Sequence, residues 1–215
     1  MSRPAVILGA GGHAAVLLET LRLQQASLLG FAAPQPGDRL QGLDYLGDDA
    51  ALRANHPPDS VTLINGLGST GAIDHRARLY EEFVAAGYRF APVIHPTAWL
   101  SPSASHGDGL QILAGAVVNT GVVLGKNVLI NSRAVVEHHG HVGDHSHVAS
   151  GAVVCGDCHI GRRVHIGAGA VINQGIRIGD GTVVASGAVV IADVAAGQLV
   201  AGVPAQAKKR EEKHE

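Results

Sequence analysis

From Leu124 onward an aliphatic residue stands at every sixth position: Leu124, Ile130, Val136, Val142, Val148, Val154, Ile160, Ile166, Ile172, Ile178, Val184 and Val190. The spacing extends back through Val118 and Ile112, breaks at His106, and resumes at Leu100 and Ile94. A fixed short period sustained this long marks a repeat architecture. Two residues before each aliphatic position the chain is mostly small (Ala134, Gly140, Ser146, Ala152, Ala170, Thr182, Ala188), and glycine commonly follows it (Gly125, Gly143, Gly161, Gly167, Gly179). Side chains alternate along a strand, so two inward residues separated by one outward residue describe a short strand and a corner. Three such units close a triangular coil of 18 residues, so that Leu124, Val142, Ile160 and Ile178 lie on top of one another. Stacked coils sit about 4.8 Å apart. Each coil buries its apolar positions only against its neighbours, which explains the length of the run. About five coils are expected. A β-sandwich would instead need turns at variable spacing and wider alternating strands. Ala201-Gly-Val-Pro-Ala205, followed by the charged residues Lys208 to Glu215, reads as a stop that protects the open end from edge pairing.

Residues 1–92 carry a different pattern, that of alternating strands and helices. Ala5 to Leu8 is a short buried strand, Gly9 to Ala14 a tight turn, and His13 to Gln25 a helix with Val16, Leu17 and Leu21 on one side. Leu28 to Phe31 and Val61 to Ile64 are further strands, and Ile73 to Ala86 is a helix closed by Gly87. The expected organisation is an α/β, Rossmann-like βαβ domain over 1–92, an all-β solenoid over 93–207, and a charged tail over 208–215.

Composition narrows the function. Aromatic residues make up only 3% and glycine 29 of 215 residues, as suits a narrow interior of small and branched side chains. A formal charge of −2 gives no basic surface for nucleic acid. No apolar run approaches the roughly 20 residues of a membrane span, so a soluble, cytoplasmic protein is expected. Cys155 and Cys158 are the only cysteines, which argues against a disulfide framework. The repeat points Cys158 inward and Cys155 outward, so the pair is structural and grips no metal.

The hexads, the Gly9-Ala-Gly-Gly-His-Ala14 turn, Val136-Glu-His-His139, Ser146-His147-Val148 and the terminal Gly-Val-Pro-Ala together resemble the hexapeptide-repeat sugar acyltransferases of bacteria. Sialic acid O-acetyltransferases and N-acetyltransferases of nucleotide-activated 4-aminosugars belong to that family. The resemblance implies a left-handed parallel β-helix, a homotrimer, acetyl-CoA as acetyl donor, and active sites between neighbouring subunits. It assigns His138 as general base and the Gly156 backbone N–H as oxyanion donor. Asn131 is expected to hold the base, and His147 to meet the acetyl carbonyl or cofactor. Gly156, Ala168 and Ser186 would line the pantetheine, with Lys208, Lys209 and Arg210 as candidates for its phosphates.

The residues themselves fit this chemistry. Seven of the thirteen histidines lie between His138 and His165. His138, two residues past Val136, falls at a coil corner facing outward, and an imidazole near its ordinary pKa of about 6.5 suits proton abstraction at neutral pH. Gly156 is one coil beyond it, where a backbone N–H approaches a ligand unobstructed. Relatives commonly place a carboxylate directly after the base, whereas this chain has His139 there, so Glu137 or an acid from another subunit is expected to orient the imidazole. His141 over His159, and His147 over His165, form outward pairs read as interface or cofactor contacts. The β-helical carbonic anhydrases would require two histidines five apart, which this chain lacks, so no metal is expected.

The turn Gly9-x-Gly11-x-x-Ala14 between strand and helix lets backbone amides approach a phosphate. Leu29-Gly-Phe-Ala-Ala33 offers no acidic partner for an NAD ribose. A nucleotide-linked amino sugar is therefore the expected ligand of Gly9, Gly11, Gly12, His13, Gly66 and Gly68. N-acetylation of that sugar is the leading reading. An O-acetyltransferase of sialic acid or a related sugar, and a non-enzymatic trimeric scaffold, are the alternatives.

Overall fold

A computed structural model describes residues 3–69 and 73–209. The chain divides into two compact units, residues 1–96 with 108–111, and residues 97–107 with 112–215.

In the first unit, β1 (Ala5–Leu8), α1 (Gly12–Leu23), β2 (Leu28–Ala32), α2 (Asp49–Asn55), β3 (Thr62–Asn65) and α3 (Ile73–Ala85) follow one another. The strands form a parallel sheet in the order β2-β1-β3. Every residue of β1 is buried, as befits a central strand covered on both faces. Val6, Leu8, Leu63, Leu79, Phe83, Tyr88 and Phe90 belong to one apolar cluster of this unit. The helix α2 carries no sequence signal strong enough to have been expected. It has seven residues, buries only Leu52, and starts from an Asp48 side chain that accepts from the Ala51 N–H.

The second unit is the solenoid. Two-residue strands recur every sixth residue from Trp99–Leu100 to Val189–Val190. Each pairs in parallel with the strand 18 residues away, as in Val136 with Val154, Val142 with Ile160 and Val148 with Ile166. The aliphatic positions from Val118 to Ile172 are buried in one continuous column. The smallest of the three sheets has five strands, so five coils are complete. A sixth closes on an isolated bridge between Ile178 and Val194. His106, where the aliphatic pattern breaks, occupies an inward position in the terminal strand of its sheet and is exposed. With no further coil to cover it there, a polar ring is tolerated. At the other end, Leu199–Ala201 and Gln206–Lys208 pair antiparallel and terminate the stack. Arg210 and the rest of the charged tail lie outside the described residues.

The corners have a strict conformation. Every sixth residue from Gly109 to Gly187 has a positive φ. Most are glycine, but Asn127, Arg133, His139, His145, Asp157 and Arg163 hold the same left-handed geometry at φ between 53° and 62°. For an L-residue this costs roughly 1–2 kcal/mol.

The stack predicts a contrast between two isoleucines. Ile160, fully buried between Val142 and Ile178, should lose about 2–5 kcal/mol of stability on replacement by alanine. Ile191→Ala, at a position 55% exposed, should cost under about 0.5 kcal/mol. Denaturant titration of the two variants checks this, and equal losses would contradict the column.

Candidate functional site

His138 lies on the corner formed by residues 137–140, between the strands Val135–Val136 and His141–Val142. Its ring packs directly over Gly156 of the next coil. A Cβ built on Gly156 would come within 2.5 Å of two ring atoms, so any larger residue there would displace the ring. The Gly156 N–H has no hydrogen-bond acceptor among the described residues, while its carbonyl accepts from the Gly175 N–H. An outward imidazole and an unspent backbone donor therefore share one corner.

The residue that holds His138 is its neighbour. His138 Nδ1 and His139 Nδ1 are 3.2 Å apart with the rings edge to face at 74°. The left-handed φ of 56° at His139 turns its side chain back toward His138. One nitrogen of such a pair donates and the other accepts. When His138 Nδ1 carries the proton, its Nε2 presents the lone pair that a general base needs.

Two expectations about this corner change. Glu137 does not supply the orienting carboxylate: its Oε2 accepts from the Asn119 amide at 2.8 Å, one coil back. Asn131 does not reach His138 of the same chain either. Its amide lies 3.1 Å from His147 Nε2 on a different corner, separated from His138 by the strand Val135–Val136. Sequence reasoning missed Asp157, whose carboxylate lies with ring nitrogens of His138 and His139 in a group spanning at most 4.8 Å. Adding 18 to His139 would have found it.

The corner that carries Asn131 recurs at Ala168 and Ser186, two and three coils farther on, both exposed. His147 is buried there. The two corners flank a sheet whose outward residues are Val117, Val135, Val153, Val171 and Val189, all partly exposed, with Trp99 55% exposed beside them. Of the two remaining histidine pairs, both adjacent as expected, only the first is stacked. His141 and His159 lie parallel at 4.4 Å, whereas His147 and His165 meet edge to face at 4.9 Å and 70°. Burial lowers the pKa of His159, with His141 and Arg177 adding to the effect, and burial also lowers that of His165. Cys158 is buried with its thiol on the Asn173 carbonyl, and Cys155 is half-buried.

In the first unit, Gly11, Gly12, His13, Gly66, Leu67, Gly68 and His75 line a cleft of about 400 Å³. Gly9 has a φ of +97°, so it turns the chain between β1 and α1 as only glycine readily does. Gly66 lies so close to Leu8 and Ala14 that a Cβ would clash, whereas a Cβ on Gly11 would meet only open space. Gly11 is the N-cap of α1 and supplies no side-chain cap, which leaves the first-turn amides available to an anion. Beneath the glycine loop, the buried Arg76 donates to the carbonyls of Asn65 and Leu67. Its Nε and Nη2 have no partner among the described residues. Burial lowers its pKa to about 9, so it stays cationic at neutral pH.

His13 has a defined tautomer. The Gln111 amide donates to the Asn65 carbonyl at 2.8 Å, so its oxygen accepts from His13 Nε2, also at 2.8 Å. Burial first, and the Arg76 charge second, lower the His13 pKa to about 4 despite that bond. At neutral pH the ring is uncharged and leaves Nδ1 as an acceptor.

Comparison with known proteins agrees with this architecture. The bacterial transferase hexapeptide model (six repeats) matches residues 139–174 and 157–192, and the PglD N-terminal domain model matches residues 5–83. The chain is similar to a histidine-to-asparagine mutant of perosamine N-acetyltransferase from Caulobacter crescentus in complex with CoA and GDP-perosamine. Identity is 31% over 96% of this chain and 97% of that one, with a TM-score of 0.88. The acetyltransferase domain of PglB from Neisseria gonorrhoeae FA1090, in complex with acetyl coenzyme A, is 30% identical over 97% of this chain and 100% of that one, with a TM-score of 0.88. WeeI from Acinetobacter baumannii AYE is 25% identical over 96% and 100%, with a TM-score of 0.83.

The His13 environment predicts an acid-sensitive first unit. Unfolded, this ring titrates near 6.5, and folded near 4, so between those values the unfolded chain binds the extra proton. Stability should fall as pH drops through that window, by at most ~3 kcal/mol. His13→Gln should flatten the slope of urea midpoint against pH. An unchanged slope would place the proton uptake elsewhere.

Proposed function

The chain belongs to the hexapeptide-repeat sugar acyltransferases, left-handed parallel β-helix enzymes that use acetyl-CoA, and from that premise we propose that it N-acetylates a nucleotide-linked amino sugar with His138 as general base. The observation that carries this reading is the His138 ring seated on Gly156, with Nδ1 engaged by His139 and the Gly156 N–H unspent. The sugar amine attacks the thioester carbonyl while His138 Nε2 takes a proton from nitrogen. The Gly156 N–H stabilises the oxyanion, and collapse of the tetrahedral intermediate expels the CoA thiolate, leaving the amide. His139 is a positioning residue: it fixes the tautomer of His138 but, unlike a carboxylate, adds no negative charge to steady the imidazolium.

The nucleotide belongs in the cleft of the first unit. First-turn amides of α1 and the buried Arg76 cation favour a diphosphate, and His13 Nδ1 accepts a hydroxyl or N–H of the ligand. A GDP-linked amino sugar, as bound by the perosamine enzyme, is the first compound to test. The alternative O-acetyl transfer would use the same base on a hydroxyl. Amine acetylation is favoured because the perosamine relative, 31% identical, is an N-acetyltransferase.

The enzyme works as a homotrimer in the cytoplasm in this reading. The valine face between the two partial corners is an apolar strip of the kind subunits cover. Packing that strip against a partner brings the His138 corner of one protomer to the Asn131, His147, Ala168 and Ser186 corner of the next. His147 then meets the acetyl group, and Ala168 and Ser186 flank the pantetheine. Lys208 and Lys209, on the exposed end strand and just after it, serve its phosphates.

Two experiments test this. His138→Asn should leave the trimer intact by sedimentation and lower kcat about 10²- to 10⁴-fold at saturating acetyl-CoA. Near-normal kcat in that variant, with loss in His141→Asn, would move the base to another histidine. Gly11→Val, whose new methyls enter the cleft at an unstrained φ of −85°, should fold normally and lose nucleotide-sugar binding by calorimetry while keeping acetyl-CoA binding. Equal loss of both ligands would remove the nucleotide from this cleft.

A further inference from the structure

The corner that carries His138 has the composition and spacing of a metal site. His138, His139 and Asp157 each offer one ligand atom, and the three atoms lie within 4.8 Å of one another. The two Nδ1 atoms are 3.2 Å apart, close to the roughly 3.3 Å that separates two nitrogens on one tetrahedral zinc at Zn–N bonds of about 2.05 Å. His139 and Asp157 are stacked one coil apart, both at left-handed corners with φ of 56° and 57°. The Asp157 N–H donates to the His138 carbonyl, which ties the two corners together. His138 and His139 are adjacent in the chain, and the solenoid brings Asp157, 18 residues after His139, beside them.

We propose that His138, His139 and Asp157 bind one borderline divalent ion of the zinc, cobalt or nickel class, and that its binding silences the enzyme. Two imidazoles and one carboxylate suit these ions better than magnesium or calcium, which take oxygen ligands. A neutral imidazole that gives one nitrogen to a metal keeps its proton on the other. With His138 Nδ1 on the ion, Nε2 carries the proton and has no lone pair to accept another. With Nε2 on the ion, that lone pair is consumed directly. Either way the ion competes with proton abstraction, and its remaining coordination position takes water or the sugar amine. Metal binding stands independently of the proposed mechanism, while the inhibition rests on His138 being the base.

The experiment uses the full chain, freed of metal, titrated with Zn²⁺ by calorimetry and with Co²⁺ by visible absorption. One ion per chain is expected. Asp157→Asn and His139→Asn should each weaken Zn²⁺ binding by more than the ~10- to 100-fold that loss of an outer-shell partner brings. Asparagine is among the residues that best tolerate left-handed φ, so both variants keep the corner. His141→Asn, outside the triad, should bind as the unmodified protein does. Acetyl transfer, followed by product mass because free CoA thiol takes up zinc, should fall with the same half-saturation and recover on chelation. Undiminished Zn²⁺ binding in both Asp157→Asn and His139→Asn, or none in the unmodified protein, would overturn the site. Zn²⁺ binding that depends on Asp157 but leaves the rate unchanged would overturn the inhibition and His138 as base, leaving the metal site standing.

Discussion

Coil-to-coil hydrogen bonding is the constraint from which the rest of the solenoid follows. The Glu137 N–H donates to the Val154 carbonyl and the His141 N–H to Cys158, so one coil is tied to the next on both sides of the His138 corner. The corner itself is tied in both directions, the His139 N–H reaching back to Thr120 and the Asp157 N–H to His138. Buried backbone groups left unpaired would be costly, and this pattern holds only if every coil has the same length. The aliphatic column is the apolar half of the same arrangement, since inward residues superpose only when the backbone does.

That rigidity is what makes a corner useful for chemistry. A loop could bring a histidine near a backbone amide, but here the separation is set by strand spacing and the ring has no room to sink. The left-handed corners add direction. At φ of 56° His139 folds back on His138, and at 57° Asp157 points toward the same space. Holding non-glycine residues in this conformation is unfavourable, and such strain tends to persist where side-chain chemistry needs it. The cleft of the first unit uses a different device, a glycine turn and helix amides above a buried arginine.

Much of this was legible in the residues, for a physical reason. Inward positions are read directly, because only aliphatic side chains can stack there without a break, and His138 over Gly156 follows from the same count. The first unit was legible from the apolar strands that precede and follow Gly9 to Ala14. Outward contacts were harder. Within the chain Asn131 pairs with His147 rather than His138, and Glu137 turns to Asn119, because outward side chains choose among several neighbours and carry no periodic signal. His139 and Asp157 stand three residues after Val136 and Val154, the left-handed position of their hexads, and that offset was present in the chain although glycine occupies only some of its sites.

The left-handed residue at every sixth position also fixes a grammar for how such a chain can change length. Removing one hexad between His138 and Gly156 keeps each local turn intact but advances everything downstream by one side of the triangle. Arg162 would then lie beneath His138, and adding a hexad would put Ser150 there. Neither is glycine, so the imidazole would lose its seat although the solenoid itself could still close. Only changes in whole coils of 18 residues preserve the vertical neighbours, which makes the fold tolerant of growth at its ends and intolerant of drift through its middle.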